Sequence, residues 1–214
     1  MMSPDDVAAA AAPSLRDRIM GAAFSLFMER GYSGTSTLDV ARRARVSKRD
    51  LYAAFGSKHA MLVACIAERT ERMKQPLKLP VPTGRAALAA TLAAFGRTLL
   101  LEVSRPEVLA TQRLAIAESE RAPELAQALD ELGRVGNRLA LTAVLAAAQA
   151  NDLLAAAQPE EIADMFVALL WRGGLITRLL LRVSEAPDEA ERAQRARFAT
   201  EMVMRLYAVS EGEN

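Results

Sequence analysis

The sequence predicts an all-α protein of about nine helices, and three observations carry that prediction. Ala and Leu dominate a 214-residue chain that is 51% hydrophobic, a composition that favours helices over strands. Apolar residues recur at helical spacing in segment after segment, and no alternating strand pattern or internal repeat stands out. Serines, prolines and glycines punctuate the segments where helices start and stop.

Taken in order, residues 1–13 are Ala-rich, end in Pro13 and read as a disordered tail. Ser14 caps a helix to about Arg30, with Ile19, Ala23, Leu26 and Phe27 as its buried stripe and Gly31 at its C-cap. Ser36 opens a second helix to about Ala44. Ser36 with Asp39 three residues on resembles a capping box, Asp replacing the more usual Glu. Leu38, Val40, Ala41 and Ala44 are expected to supply its apolar contacts. Ser47 caps a third helix to about Phe55, Gly56 ends it, and Ser57 opens a fourth to about Lys74. Pro76, Pro80 and Pro82 then break the chain, so the boundary is placed there. Five longer patterns follow. Thr83 precedes a helix to about Ser104. Pro106 and Pro123 suit the first turns of two more, ending near Arg121 and Asp152. Pro159 opens one to about Val183, and Pro187 opens the last, to about Val209. The expected organisation is a tail (1–13), an N-terminal domain with a connecting helix (14–74) and a C-terminal helical domain (83–209).

Net charge is +1, which by itself indicates no nucleic-acid partner, but the charge is unevenly spread. Residues 14–74 carry twelve Lys/Arg against six Asp/Glu, and residues 75–214 carry fifteen against eighteen. Between Arg42 and Lys58 stand six basic residues and one acid, Asp50. A local basic patch is the electrostatic footprint of nucleic-acid binding. Cys65 is the one cysteine, so no intrachain disulfide forms; it reads as a small buried hydrophobe in a reducing compartment. The acids Asp5 and Asp6 stand where a secretion signal has Lys or Arg. The apolar run Met165–Leu181 holds Arg172 and Arg178, costly in a bilayer. The expectation is a cytoplasmic protein with no membrane partner, no cofactor and no metal. The single histidine, His59, has no Cys or acidic partner at ligand spacing. No nucleophile motif or phosphate loop is found. Gly133 and Gly136 lie within a predicted helix, and an enzyme is not expected.

The segment 36–58 has what a helix-turn-helix needs to read the DNA major groove. A short bracing helix, 36–44, precedes a reading helix, 47–54. The reading helix begins with Ser47, Lys48 and Arg49, so its free amides and donor side chains share one end. Arg can bind guanine O6 and N7 in bidentate fashion. Val46, Leu51 and Phe55 form a back face that mounts the helix. Tyr52 can donate to a phosphate, and Lys58 can do so from the start of the fourth helix; His59 follows it and can lie near phosphate. Surface charge alone would also account for Lys48, Arg49 and Lys58 taken singly. The joint order Ser-Lys-Arg, Tyr, Gly-Ser-Lys favours the DNA reading.

These residues resemble the tetracycline-repressor (TetR) family of bacterial transcription regulators. The matching pieces are Arg18-Ile19, Ala22-Ala23, Leu26-Phe27, Gly31-Tyr32, Thr35-Ser36, Val40-Ala41, Ala44, Val46-Ser47, Leu51-Tyr52, Phe55, Ser57-Lys58 and Leu62. One departure matters: the family often has Gly at the tight turn, where this chain has Arg45. The resemblance implies that Thr35, Ser36 and Thr37 touch DNA backbone. It also implies that Ser47, Lys48 and Arg49 approach bases or phosphates and that Tyr52 and Lys58 clamp phosphates, with Arg45 adding a charge nearby.

By the same resemblance the C-terminal domain binds a ligand and dimerises. The stretch Arg113–Leu125 looks like the AefR-type C-terminal domain. Gln112, Asn137, Thr142, Trp171 and Thr177 are the candidate lining of a pocket for a small, largely apolar effector. Phe166, Leu169, Gly173, Ile176 and Leu180, with Phe198, Met202 and Leu206 on the last helix, are the candidate dimer face. An intrachain core built by the same residues is the alternative. The expected protein is a homodimeric repressor of a pseudo-palindromic operator in double-stranded DNA. The alternatives are a DNA-binding activator and a helical protein-interaction module without specific DNA binding.

Overall fold

The computed structural model describes residues 13–78, 82–181 and 185–207. Residues 1–12 of the expected tail, and the expected helix ends at Val183 and Val209, lie outside the described residues. Among the described residues the chain is mostly helical and forms no strand. Ten helices are present: α1 (Leu15–Arg30), α2 (Thr37–Ala44), α3 (Lys48–Phe55), α4 (Lys58–Lys74), α5 (Arg85–Val103), α6 (Pro106–Ala117), α7, α8 (Pro159–Trp171), α9 (Gly174–Leu180) and α10 (Glu189–Leu206). A 3₁₀ turn, Gln75–Lys78, follows α4, and α7 is one continuous helix with α-geometry over Pro123–Ala128, π-geometry over Leu129–Val135 and α-geometry over Gly136–Ala150.

The tenth helix comes from a break. The sequence predicts one helix from Pro159 to about Val183, but Arg172 and Gly173 both adopt positive φ, 46° and 79°. Two consecutive left-handed residues stop a right-handed helix, and the Arg172 N–H closes α8 on the Ala168 carbonyl at 2.9 Å. The Gly173-Gly174 pair marks where one helix ends and the next starts. The apolar face expected to run unbroken from Ile162 to Leu180 is therefore two faces.

The chain divides into two compact units, Met1–Ala64 and Cys65–Asn214, a division that falls inside α4. In the first, Ile19, Ala23, Leu26 and Phe27 of α1 are buried as the helical spacing predicts, together with Val40, Ala41 and Ala44 of α2, Leu51 of α3 and Met61 and Leu62 of α4. Leu38, expected among the contacts of α2, faces out; it stands two residues, about 200° around the helix, from the buried Val40. In the second, α5 is the axis. Its Leu88, Leu92, Phe95, Leu99 and Leu100 pack with Leu141 and Leu145 of α7, Ile162, Phe166 and Leu170 of α8, and Ala196, Ala199 and Val203 of α10. Gly96 sets the helix spacing: a Cβ there would stand 3.0 Å from Leu170 Cδ2 and 3.1 Å from the Ala196 Cβ. α5 is the one described helix long and apolar enough to cross a membrane, but the apolar residues just named are spent on this core. Cys65 is buried, as expected.

Candidate nucleic-acid interface

The helices that present the interface are fixed by local bonds. Ser14, Ser36 and Ser47 are the N-caps of α1, α2 and α3. Ser36 Oγ accepts from the Asp39 N–H at 3.1 Å and donates to the Asp39 carboxylate at 2.6 Å. Ser47 does the same with Asp50, at 3.0 and 2.7 Å. The full reciprocal capping box appears in α1, between Ser14 and Asp17, whereas Ser36 and Asp39 make its side-chain half. Ser57 Oγ caps α4 through the Ala60 N–H at 3.0 Å.

The turn between α2 and α3 keeps its tight form with arginine in place of glycine. Arg45 takes the left-handed conformation, φ 55° and ψ 48°. Its N–H donates to the Arg42 carbonyl at 3.2 Å, and the Val46 N–H reaches the Ala41 carbonyl at 3.0 Å, the bond pair of a Schellman turn. The Arg18 guanidinium locks this turn from α1, donating to the Ala44 carbonyl through Nε and Nη2 and to the Arg45 carbonyl at 3.0 Å. A cation on the last carbonyls of α2 also suits the helix dipole. Arg16 likewise donates to the Ala54 carbonyl at 3.2 Å and lies over the Phe55 ring, 4.3 Å from its centroid. Sequence reading placed Arg18 in the family pattern without seeing this role; its partners lie 26 and 27 residues away, beyond any local spacing rule.

On the exposed side, Tyr52 is 42% exposed and its hydroxyl lies 3.2 Å from Thr37 Oγ1, so the bracing and reading helices present two hydroxyls together. Lys48 Nζ stands 5.7 Å from the Tyr52 ring centroid. Lys48, Arg49, Arg45 and His59 are exposed, and Leu51 is buried beneath them. Two expected contacts look different. Thr35 is 3% exposed, and its hydroxyl is spent on the Leu26 and Gly31 carbonyls at 3.1 and 2.8 Å. It ties the α1–α2 loop and turns its side chain away from the surface. Lys58 is half-buried, donating to the Tyr32 carbonyl at 2.9 Å and standing 4.3 Å from the Tyr32 ring centroid. An ammonium has two further donors, so the anchored Lys58 still presents charge at the start of α4. Arg43 is paired with Glu29, a hydrogen bond that holds the Glu29 carboxyl below its ordinary range. The Ser36 hydroxyl, assisted by Arg30 and Arg42, likewise lowers Asp39.

In the second unit the five pocket candidates do not share one environment. Gln112 and Trp171 are half-buried, Thr177 is exposed, and Asn137 and Thr142 hold buried oxygens, Oδ1 and Oγ1, without a hydrogen-bond partner. The Asn137 amide donates to the Gly133 carbonyl at 2.8 Å, inside the π-helical stretch, and to Met73 Sδ at 3.4 Å. The expected dimer face divides too. Phe166 is 1% exposed and stacks on Phe95 at 6.2 Å between ring centroids, so it belongs to the chain's own core and leaves no surface for a partner. Leu169, Phe198 and Met202 are half-buried, with Arg172 lying over the Phe198 ring. Gly173, Ile176, Leu180 and Leu206 are exposed, together with Leu181 and Ile116, which sequence reading did not single out. Arg113 of α6 donates to the Arg178 and Leu179 carbonyls at 3.0 and 3.1 Å and so holds the C-terminal end of α9. Among the described residues no group of three His, Cys, Asp or Glu side chains could hold a metal ion.

A helix-turn-helix with a basic reading helix, joined to a larger helical unit, defines a DNA-binding regulator. Comparison with known proteins gives the family. Residues 19–65 match the bacterial regulatory proteins of the tetR family, and residues 90–209 match the AefR-like transcriptional repressor, C-terminal domain. The chain belongs to the TetR family of transcriptional regulators. Among solved structures it is similar to the flavonoid-responsive regulator FrrA, with 31% identity over 93% of this chain and 100% of that one and a TM-score of 0.72. It is also similar to a TetR transcriptional regulator from Agrobacterium tumefaciens, with 28% identity over 92% and 97% of the two chains and a TM-score of 0.75. A TetR-family regulator from Mesorhizobium loti MAFF303099, 22% identical over 91% and 97%, has the same fold at a TM-score of 0.73. No curated protein matches the chain in sequence.

Proposed function

We propose that this regulator is a homodimeric repressor. It binds a pseudo-palindromic operator through residues 14–74 and is released when a small, largely apolar effector binds residues 83–209. The observation that carries the reading is the exposed front of the reading helix. There Lys48 and Arg49 precede Tyr52, whose hydroxyl is already paired with that of Thr37 across the two helices. Arg49 and Lys48 read base edges. Thr37, Tyr52 and Lys58 hold phosphates, with Arg45, Ser36, Ser47 and His59 beside them. The protein acts in the cytoplasm, where its operator is.

Two half-sites on one duplex require two copies of the chain. Support for the dimer comes from Ile176 and Leu180, 64% and 75% exposed on α9, with Leu206 exposed on α10. Large apolar side chains grouped at this exposure are the mark of a surface that another chain covers. The effector enters by population shift: it favours an arrangement of the two reading helices that misfits DNA. The buried, unpaired Asn137 Oδ1 and Thr142 Oγ1 are acceptors suited to a hydroxyl-bearing ligand. FrrA is described as flavonoid-responsive, and a hydroxylated aromatic is accordingly the effector class proposed for this chain.

Selecting bound DNA from a random pool tests the reading. The expected product is an inverted repeat whose half-sites are centred about one helical turn, or a multiple of it, apart. On that duplex, Tyr52→Phe weakens binding with the melting temperature retained, and Lys58→Ala weakens it with some loss of stability, since its bond to the Tyr32 carbonyl goes too. Lys58→Ala also lowers the slope of log affinity against log salt by roughly one. No enrichment from the pool, or an unchanged affinity and slope in both variants, would overturn it. Hydroxylated aromatics added to the complex are expected to release the DNA.

A further inference from the structure

Three helices of the first unit begin Ser-x-x-Asp, and each carboxylate folds back onto its own cap. The hydroxyls of Ser14, Ser36 and Ser47 donate to Asp17, Asp39 and Asp50 at 2.7, 2.6 and 2.7 Å. A helix N-terminus attracts anions because its first amides are unpaired and the dipole is positive there. At the start of the reading helix that place already holds a carboxylate. Asp50 is exposed, directly follows Lys48 and Arg49, and is the one acid between Arg42 and Lys58.

We propose that Asp50 is a specificity-determining residue that acts against DNA of the wrong sequence. The proposal rests on the DNA-binding reading above. On the operator, Lys48 and Arg49 reach neutral base edges, and a nearby carboxylate costs little. On other sequences those side chains find no matching edges and turn to the phosphates flanking the helix start. Non-specific binding is almost wholly electrostatic. The Asp50 carboxylate sits at the helix start those phosphates would approach, and charges within about 8 Å are not screened out at physiological salt. It offsets one of the two cations beside it and weakens the non-specific mode selectively.

The test is Asp50→Asn in the full chain, titrated at several salt concentrations with the selected duplex and with a scrambled one. Asn still accepts the Ser47 hydroxyl, so the cap is retained, and Asp50→Ser provides a second neutral variant. Both are expected to bind the scrambled duplex about five-fold more tightly, a change of the size one helix-terminal charge produces. The selected duplex should tighten less than about two-fold. The salt slope on the scrambled duplex should steepen by roughly one. Unchanged binding to the scrambled duplex by two folded variants overturns the proposal. So does a loss of affinity for the selected duplex confined to one C·G pair, which would make Asp50 a direct reader of the cytosine amino group. A wild-type chain that binds neither duplex removes the DNA-binding reading itself; one that binds both equally removes operator recognition while the scrambled duplex still reads the Asp50 effect.

Discussion

Arg45 occupies a left-handed conformation that glycine adopts freely and that costs other residues roughly 1 kcal/mol. The three hydrogen bonds from Arg18 to the Ala44 and Arg45 carbonyls hold the turn in place regardless. Arg45→Gly should therefore raise the unfolding free energy by up to about 1 kcal/mol, the larger unfolded-state entropy of glycine taking back part of the gain. It should also weaken DNA binding through loss of a guanidinium. Urea unfolding and operator titration measure the two effects, and a destabilised Arg45→Gly chain would contradict the strain argument. Residue type marked Arg45, Lys48, Arg49 and Tyr52 as candidates for the interface. It could not separate Thr35 from Thr37, because both are threonines at the start of one helix. Only the fold turns the Thr35 hydroxyl inward to two carbonyls and the Thr37 hydroxyl outward to Tyr52.

Helix boundaries were largely legible because capping residues carry a local signal: Ser14, Ser36 and Ser47 start helices as their types predict. The break at Arg172–Gly173 was not, since apolar spacing continues across it and only positive φ at both residues ends α8. Between elements, Gly96 lets α5 approach α8 and α10. Gly96→Val would press on Leu170, Ala196 and Phe166 and should destabilise the chain by about 1–3 kcal/mol, read by denaturant midpoint at unchanged m-value. A midpoint equal to wild type would show that the contact yields freely. Helices α7 and α8 are joined by Arg138 and Asp164, whose carboxylate receives two hydrogen bonds at 2.6 and 2.9 Å. The bond from Arg138 holds Asp164 below the usual carboxylate range. A depressed folded value contributes stability above the unfolded value near 4, and that stability is lost as pH falls through the folded one. Acid melts of Asp164→Asn should therefore fall less steeply below about pH 4 than wild type. The change is small because the pair is partly exposed, and Asp130 and Glu71 are lowered by their own partners, Arg134 and Lys78.

For the whole molecule, the proposed dimer rests on the exposed Ile176, Leu180 and Leu181 on and just beyond α9. Ile176→Asp with Leu180→Asp should leave helicity and melting of the monomer intact while shifting light-scattering mass from two chains to one. It should also lower operator affinity, since each half-site then binds alone. A wild-type monomer at micromolar concentration would refute the dimer. What the sequence by itself determined was the all-α class, the helix-turn-helix and the TetR resemblance, because caps, helical spacing and a compact run of basic and aromatic residues are local signals. Tertiary structure alone decided which of the apolar residues between Ile162 and Leu180 face inward. Helical spacing gave Phe166 and Ile176 the same standing, yet the kink between α8 and α9 puts one at 1% exposure and the other at 64%. A periodic pattern fixes a face only relative to its own helix. Where that face points depends on backbone angles at the break and on partners such as Phe95, 71 residues away from Phe166 in the chain.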